Sequence, residues 1–238
     1  MKLGTVGQLL ADLEHQIAED GEVLIKGPYV FKGYFKNDEA TASTVIDGWL
    51  HTGDVGKLDA EGFLRITDRK KHLIITAGGK NLAPANIENA IKNQDPLISQ
   101  VHAHGDARPF VCALLAPSPI ETLELGVELG LVDESELETR TAELMRNPAG
   151  RSEALNALTA KVVRHEAFVS RAREAVRKGN RDLSQVEKVK RFFILDRDFS
   201  QEHGELTPTM KLKRKTVESS YRETFDRIYD EPGFAIEP

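Results

Sequence analysis

Cysteine and tryptophan are the scarcest residues of this 238-residue chain, which contains one of each. A single cysteine, Cys112, excludes a disulfide within the chain, and its apolar surroundings, FVCALLAP, predict a buried small side chain. Long apolar runs are also lacking. No stretch approaches the roughly 18 apolar residues of a transmembrane helix, so none is expected. Residues 1–20 lack the charged start and apolar centre of a signal peptide, which predicts a cytoplasmic protein.

The chain has no excess of basic charge. Its 32 Lys and Arg residues face 38 Asp and Glu residues, for a net charge of −6. General affinity for nucleic acids depends on excess Lys and Arg, so no nucleic-acid partner is expected. With 40% hydrophobic and 29% charged residues, the composition indicates a soluble globular protein that can bury a core.

Common catalytic and metal-binding motifs are missing as well. There is no GxSxG, HExxH or CxxC, and no glycine fingerprint of a dinucleotide site. His102 and His104 are two residues apart, so a strand would place both on one face. No nearby Cys or acidic partner completes a metal site with them, and we therefore predict no protein metal site.

Residues 1–70 are typical of β-structure with frequent turns. GEVLIKG predicts a strand, and NDEATASTVI predicts a short helix capped by Asn37 or Asp38. In LHTGDVGKLDAEGFLRITDRKK, the turn signal DAEG between two alternating segments predicts a β-hairpin. The charged DRKKH would make a poor core strand, so we place a domain boundary near 69–72.

The remainder alternates between strand and helix signals, which favours a small α/β or α+β domain. HLIIT, ISQVHAH, FVCALLA and VKRFFIL predict strands, and Pro84 opens a predicted helix, PANIENAIKNQ. Residues 119–178 are almost entirely helical. Apolar residues from Leu155 to Phe168 recur at three and four, which predicts one amphipathic helix from Ser152, and Gly179 is expected past a helix end. KTVESSYRETFDRIYDE predicts a single final helix.

Two polar residues of the hairpin are candidates for ribose binding. Asp54, beside Gly53, could accept hydrogen bonds from adjacent hydroxyls, and Arg69 could bind ribose or phosphate oxygens through its planar guanidinium. The alternatives are a turn aspartate bonded to its own backbone and a surface ion pair of Arg69 with Asp68 or Glu61. Because a hairpin brings its arms together, Asp54 and Arg69 are expected to be neighbours.

Two loops offer further candidates. TAGGKN, residues 76–81, has adjacent glycines that allow a ligand to approach the backbone, although a simple turn explains them equally well. ELTPTMKLKRK, residues 205–215, presents several basic side chains after a Thr-Pro-Thr segment. They form either a solvated basic patch or an anion contact made by one lysine.

Several segments together resemble the adenylate-forming enzymes. GEVLIKGPYVFKGYFKNDEAT resembles their GE…RGP.V..GY…..T segment. DGWLHTGDVGKLDAEGFLRITDRKKHLIITAGGKNLAP resembles their GW.HTGD and DR.K……G…AP segments, and GELTPTMKLKRK resembles their terminal P..K lysine segment. HGELTPTMKLKRKTV and the helical stretch are most similar to long-chain fatty-acid–CoA ligases. The resemblance covers nearly the whole chain.

The resemblance implies an α+β fold in two parts. Residues 1–70 would be the β-rich end of the large AMP-binding domain, and 71–238 the small mobile C-terminal domain with a helical insertion at about 119–178. The family's TSGTTG.PK phosphate loop and Y-G-.-T-E segment are missing, and both precede the matched segments. We therefore expect the C-terminal part of a longer ligase, inactive without its N-terminal part.

The resemblance also implies roles for residues of the first 71. Asp54 would hold the ribose hydroxyls of ATP and of the acyl-adenylate, and Arg69 would bind ribose or phosphate. Lys71, two residues after that arginine, falls on the family's hinge position.

In the loops, Gly78, Gly79 and Lys80 would line the tunnel for the pantetheine arm of coenzyme A. Lys211 would be the adenylation lysine. The usual P-.-G-K is replaced by PTMK, with Met210 in the place of glycine, which keeps Lys213 as an alternative.

The implied reaction joins a fatty acid to coenzyme A at the expense of ATP with Mg²⁺, through an acyl-adenylate. A membrane surface is a further partner that the sequence neither predicts nor excludes. One alternative is a fatty-acyl–AMP ligase that delivers its product to a carrier protein. The other is a non-catalytic nucleotide-binding or interaction module.

Overall fold

The computed structural model describes residues 2–238, which form two compact units. One unit ends at Leu73 and the other spans Ile74–Pro238. The division falls three residues after the predicted boundary that followed residue 70. The reason is local, since the 3-10 turn Lys70–His72 belongs to the first unit through the ion pairs of Lys70 with Asp20 and Glu22.

The first unit is built on a five-stranded antiparallel sheet. Its strands β1, β2, β4 and β3 lie side by side in that order, and β5 pairs with β4. The predicted strand, helix and DAEG hairpin are all confirmed. Asn37 caps the helix, since its side chain accepts from the Ala40 N–H at 3.0 Å. The elements are β1 Glu14–Ile17, β2 Glu22–Lys26, α1 Asp38–Thr44, β3 Val45–Ile46, β4 Trp49–Leu58 and β5 Leu64–Arg69.

The second unit contains a two-stranded and a three-stranded sheet. In the larger sheet β9 is central, antiparallel to β8 and parallel to β10. Pro84 opens its helix as predicted. The elements are β6 Ile74–Ile75, β7 Asn81–Leu82, α2 Pro84–Lys92, β8 Ile98–His104, β9 Val111–Pro117, α3 Pro119–Glu128, α4 Glu134–Arg146, α5 Glu153–Val162, α6 Glu166–Gly179, β10 Val189–Ile194, α7 Arg214–Ser220 and α8 Arg222–Asp230.

Strand β9 is buried on both faces, which accounts for its uninterrupted apolar sequence. Val111, Ala113 and Leu115 pack into a core cluster with α2, α3, α5 and α6. The alternate residues, including Cys112, pack into a second cluster with α7 and α8 on the other face. Cys112 is fully buried, as predicted, and burial raises the pKa of its thiol to about 12. The mixed helical and sheet content confirms the α+β class.

Three local predictions were wrong. The apolar stripe after Ser152 belongs to two helices, because the first ends at Val162 and His165 caps the second by accepting from the Ala167 N–H. The final helical segment likewise breaks at Tyr221 into α7 and α8. Gly179 is the last residue of α6 with φ −58°, and a Cβ there would lie 2.7 Å from the Ala90 carbonyl oxygen. Close packing of α6 on α2 requires this glycine.

His102 and His104 share one face of β8, as predicted. The His102 ring is fully buried, and neither of its nitrogens has a hydrogen-bond partner among the described residues. Contrary to the sequence interpretation, an acidic residue does lie nearby, since Glu218 Oε1 is 3.9 Å from His102 Nε2. The His104 ring stacks on Phe225 with centroids 4.2 Å apart. Within residues 2–238, no group of three or more His, Cys, Asp or Glu side chains could hold a metal ion.

Acid is expected to destabilise the second unit through these two imidazoles. Burial, reinforced by Arg214 and His104, lowers the pKa of His102, and burial with Arg108 lowers that of His104 to about 4. Both rings are neutral in the folded protein. Their contribution to the free energy of unfolding is therefore complete above pH 6.5 and is lost as the pH falls towards 4. Each histidine lowers the free energy of unfolding by about 1.4 kcal/mol per pH unit in that window. Urea unfolding between pH 7 and 4.5 measures the loss.

His104→Phe provides the matched variant, because it keeps the stacked ring but cannot bind a proton. We expect a shallower loss of unfolding free energy with falling pH than in the parent. His15→Gln, at an exposed position of β1, should leave the slope unchanged. Equal slopes in the parent and His104→Phe would contradict this origin of the acid sensitivity.

Candidate active-site elements

Asp54 and Arg69 face each other across the β4–β5 hairpin. They are register partners, and Arg69 Nε lies 2.6 Å from Asp54 Oδ1. The predicted proximity is therefore confirmed. Asp54 lies within a strand instead of a turn. The Arg69 guanidinium forms an ion pair with Asp54, and the Arg69 N–H donates to Asp68 Oδ1 at 2.7 Å. The Asp54 side chain is 27% exposed and that of Arg69 56%, so ligand atoms can reach both.

The backbone around Asp54 is irregular, although Asp54 and Arg69 remain register partners. Gly53 has φ +69°, a left-handed conformation that favours glycine. The register with β5 then shifts between Val55 and Gly56. A Cβ at Gly56 would lie 2.9 Å from the Arg65 carbonyl oxygen, so close strand approach requires glycine there too. Bulges of this kind commonly re-aim side chains beside functional sites.

The buried carboxylate of Glu22 lies at the centre of the polar residues around this hairpin. It accepts from the Gly53 N–H at 2.9 Å and from Lys70 Nζ at 2.8 Å, and its Oε2 is 3.2 Å from His51 Nδ1. Burial alone would raise the pKa of Glu22. The hydrogen bonds from Lys70, Gly53 and His51 outweigh that effect and lower it. Glu22 therefore stays ionised although its side chain is only 4% exposed.

Gly78, Gly79 and Lys80 form the exposed tip of the β6–β7 hairpin in the second unit. Gly79 has φ +73° and donates to the Thr76 carbonyl at 2.8 Å. The Lys80 N–H donates to Thr76 Oγ1 at 3.2 Å, and the Thr76 N–H donates to the Lys80 carbonyl. This is a β-turn followed by a left-handed residue, in which glycine meets a conformational requirement.

Lys211 follows a second loop with the same hydrogen bonds. Met210 donates to the Thr207 carbonyl at 2.9 Å, the Lys211 N–H donates to Thr207 Oγ1 at 3.0 Å, and the Thr207 N–H donates to the Lys211 carbonyl. Leu206 and Leu212 close the loop with a bridge. In each loop a threonine side chain thus fixes the lysine four residues later, while the lysine residue itself is exposed.

The similarity of the two loops shows that Met210, which replaces the glycine of the family pattern, strains the backbone. Met210 has φ +60° and occupies the left-handed position that Gly79 fills in the first loop. Non-glycine residues are disfavoured there by contact of Cβ with the backbone. The glycine of the family pattern would adopt this conformation freely. With Met210 in its place, the loop keeps the same geometry but its backbone is strained.

Met210→Gly is expected to stabilise the second unit by about 1 kcal/mol by removing this strain. Gly79→Ala serves as the matched opposite change. A Cβ there would have no atom within 4 Å, so its effect reports backbone strain alone and should destabilise by a similar amount. Thermal and urea unfolding measure both. Destabilisation by Met210→Gly would contradict the strain argument.

The loop that carries Lys211 is held at its base by the buried carboxylate of Glu205. This group accepts from both terminal nitrogens of Arg197, at 2.8 and 2.9 Å, and from the Tyr221 hydroxyl at 3.0 Å. The backbone carbonyl of Glu205 accepts from the Lys213 N–H at 2.7 Å. Lys213 thereby precedes α7, and Arg214 forms an ion pair with Glu88 of α2. Lys211 is carried on an anchored loop, not on a loose tail.

Lys71 is exposed in the 3-10 turn that follows Arg69. Its preceding neighbour is held by two carboxylates, since Lys70 Nζ lies 2.7 Å from Asp20 Oδ2 and 2.8 Å from Glu22 Oε2. The two compact units divide two residues after Lys71. In the described part of the chain, no helix is both long and apolar enough to cross a membrane.

Comparison with known proteins identifies the class to which these elements belong. Residues 71–128 match the family model described as the AMP-binding enzyme C-terminal domain. These residues are therefore an AMP-binding C-terminal domain of the kind that adenylate-forming enzymes carry. Within that class the chain is related to acyl-CoA synthetases. It is 38% identical over 230 residues to the long-chain-fatty-acid–CoA ligase FadD15 of Mycobacterium tuberculosis, covering 97% of this chain and 34% of that protein.

Solved structures agree on the fold. The adenylation domain of a carboxylic acid reductase from Segniliparus rugosus, in complex with AMP and a carboxylic acid, superposes with a TM-score of 0.63 at 24% identity. This covers 93% of the present chain and 32% of the other. An O-succinylbenzoate coenzyme A synthetase from Bacillus subtilis, in complex with ATP and magnesium, gives 0.52 at 26% identity, covering 90% and 35%. The chain spans about a third of the length of the curated relatives it matches.

Residue-level reasoning from sequence missed Glu22, Glu205 and the two capping threonines. The threonines had a readable signal, because TAGGK and TPTMK both place Thr four residues before Lys. Glu22 and Glu205 lie in segments that match the family, but those segments do not indicate which residues the two carboxylates bind.

Proposed function

We propose that this chain is the C-terminal part of an ATP-dependent long-chain fatty-acid–CoA ligase. The reaction is fatty acid plus ATP to acyl-adenylate and pyrophosphate, then acyl-adenylate plus coenzyme A to acyl-CoA and AMP. The observation that carries the proposal is the pairing of Asp54 with Arg69 at 2.6 Å on a hairpin that matches the family's GW.HTGD and DR.K segments. The 38% identity to a long-chain-fatty-acid–CoA ligase supports the substrate class.

Asp54 accepts hydrogen bonds from the ribose hydroxyls of ATP, AMP and the acyl-adenylate. Its carboxylate suits two adjacent hydroxyl donors, and Arg69 offers donors for ribose or phosphate oxygens. In the ligand-free state the two side chains neutralise each other. Ribose binding exchanges part of that ion pair for hydrogen bonds, which costs little at this exposure because exposed ion pairs contribute about 1 kcal/mol or less.

Lys211 supports the first half-reaction. The fatty carboxylate and the triphosphate repel each other, so the attack on the α-phosphate needs a cation between them. Mg²⁺ bound to ATP neutralises phosphate charge, and its protein contacts belong to the part of the ligase outside this chain. Lys211 supplies the positive charge at the reacting centre. Its loop is fixed by Thr207 and Glu205, and the charge moves only with the small domain.

The tip formed by Gly78, Gly79 and Lys80 supports the second half-reaction. Two adjacent glycines present backbone without side chains, which suits a narrow pantetheine arm. The tip is braced by the second unit, since the Ala77 N–H donates to the Arg108 carbonyl at 3.0 Å. Between the two half-reactions, the small domain rotates about Lys71. This rotation removes the Lys211 loop from the reacting centre and brings the glycine tip to it.

Apolar exposure in the first unit supports the assignment as part of a larger domain. Eight large apolar side chains are exposed there in the described residues, against four in the second unit, which is more than twice as long. Monomeric domains seldom leave such surface uncovered, and the missing part of the large domain would bury it. The eight are Leu3, Val6, Leu10, Tyr29, Phe31, Tyr34, Phe35 and Ile46. Val23, in contrast, is buried in β2.

The proposal is tested with the 238-residue chain and with a longer protein that includes its upstream coding sequence. We expect the chain alone to form no acyl-CoA from fatty acid, Mg-ATP and coenzyme A. The longer protein should form it with release of pyrophosphate and AMP. Product from the chain alone would contradict the assignment as a fragment, and a longer protein that binds AMP without forming acyl-adenylate would favour a non-catalytic module.

The acceptor is tested separately. Formation of acyl-adenylate without transfer to free coenzyme A, combined with transfer to a pantetheine-loaded carrier protein, would favour a fatty-acyl–AMP ligase. Transfer to free coenzyme A is the expected result. The same assays with Gly79→Ala should slow transfer more than adenylate formation.

A further inference from the structure

We infer that Glu22 is a positioning residue that holds the ribose-binding pair and the near side of the hinge in one arrangement. The inference rests on the proposed function and extends it to a residue outside the predicted site. Glu22 is 3% exposed, and its carboxylate contacts the residue directly adjacent to each of three predicted functional positions. Gly53 precedes Asp54, while Lys70 lies between Arg69 and Lys71.

The contacts divide between the two carboxylate oxygens. Oε1 accepts from the Gly53 N–H at 2.9 Å, and Oε2 accepts from Lys70 Nζ at 2.8 Å. Gly53 is the left-handed residue that turns β4 just before Asp54. An unpaired N–H at that turn would cost free energy, so Oε1 stabilises the turned backbone that presents Asp54.

Lys70 is held twice, by Glu22 and by Asp20, whose Oδ2 lies 2.7 Å from Nζ. The side chain of Asp20 is 40% exposed, whereas that of Glu22 is buried and has little contact with solvent. Charge-assisted hydrogen bonds to a buried acceptor are the stronger of the two. The chain is thus fixed through Lys70, and rotation of the small domain is confined to the residues from Lys71 to Leu73, where the first unit ends.

Hydrogen–deuterium exchange of the 238-residue chain tests this without any assay of catalysis. Peptides covering 50–55 report the turn before Asp54, and peptides covering 68–73 report the hinge side. Glu22→Ala removes the contacts with Gly53, His51 and Lys70, so both segments should exchange about tenfold faster. Glu22→Gln keeps an acceptor for the Gly53 N–H but loses the charge, so only 68–73 should accelerate.

Two further variants complete the test. Lys70→Met should reproduce the Glu22→Gln pattern, because it removes the partner and leaves Glu22 in place. Glu61→Gln, at an exposed glutamate that pairs with Lys2 in the same unit, should change neither segment. Unchanged exchange in 68–73 for both Glu22→Gln and Lys70→Met overturns the inference. Acceleration throughout the first unit in Glu22→Gln, with none in Lys70→Met, also overturns it by indicating general destabilisation.

The functional consequence is measured in the longer ligase. Because the ribose is held in both half-reactions, Glu22→Gln should raise the KM for ATP about tenfold and weaken AMP binding similarly, with a smaller change in kcat. A purely structural role would lower the melting temperature with KM unchanged, and that result overturns the positioning role. Failure of the ligase to form any adenylate would instead contradict the proposed function, while the exchange pattern would still decide the placement of Glu22.

Discussion

Lys211→Ala in the longer ligase is expected to lower acyl-adenylate formation by about 10²- to 10³-fold, the usual effect of removing one stabilising group at a developing charge. Thioester formation from supplied acyl-adenylate and coenzyme A should fall far less. The reason is chemical, because only the first step brings a carboxylate against a polyphosphate. Pyrophosphate release measures the first half-reaction, and acyl-CoA formation from synthetic acyl-adenylate measures the second.

Lys213→Ala is the matched control for Lys211→Ala. Lys213 is also an exposed lysine of the same segment, and its N–H, which the substitution leaves intact, donates to the Glu205 carbonyl. We expect Lys213→Ala to retain most adenylation activity. Equal losses in both half-reactions for Lys211→Ala would contradict the assignment, and a larger loss in Lys213→Ala would transfer the role to that lysine.

Lys71→Pro is expected to lower overall turnover by at least about tenfold by blocking the swing between the two half-reactions. The proline ring fixes φ near −65° and restricts the preceding residue as well. Lys71 is the second residue of a 3-10 turn, where the φ of proline itself is tolerated but the helical conformation of Lys70 is disfavoured, so the joint is held in one restricted arrangement. At least one half-reaction, assayed separately, should therefore be retained better than the complete cycle.

Lys71→Ala separates backbone freedom from the loss of a side chain. It removes the same exposed amine but leaves φ free, so turnover should remain close to that of the parent. If Lys71→Pro turns over normally, the hinge assignment is wrong. If both variants lose activity equally, the lysine side chain acts in some other way than as a hinge.

The described geometry shows why parts of the candidate site could be predicted from sequence. The DAEG turn brings β4 and β5 together, and the one-residue register shift between Val55 and Gly56 then places Asp54 opposite Arg69. The closing bonds of the two lysine loops are also local, since they join each threonine to the residues three and four positions later. The roles of these residues in ribose, coenzyme A and adenylate chemistry remain predictions from the family resemblance.

Helix ends in the second unit show where sequence reasoning failed. An apolar stripe has the same spacing whether it belongs to one helix or to two that both pack on the same sheet. His165 and Tyr221 could therefore cap new helices without interrupting the pattern. Gly179 was interpreted as a helix stop because glycine commonly is one, but its role depends on the Ala90 carbonyl nearly ninety positions earlier.

Composition, turn signals and periodicity alone determined the β-rich first part, the mixed strands and helices of the second part and the proximity of Asp54 to Arg69, because each depends on residues close together in the chain. The parallel alignment of β9 with β10, the buried anchors Glu22 and Glu205 and the packing glycine were decided only by tertiary structure. Their partners are separated by tens of residues, and contacts across such distances leave no period or motif in the sequence.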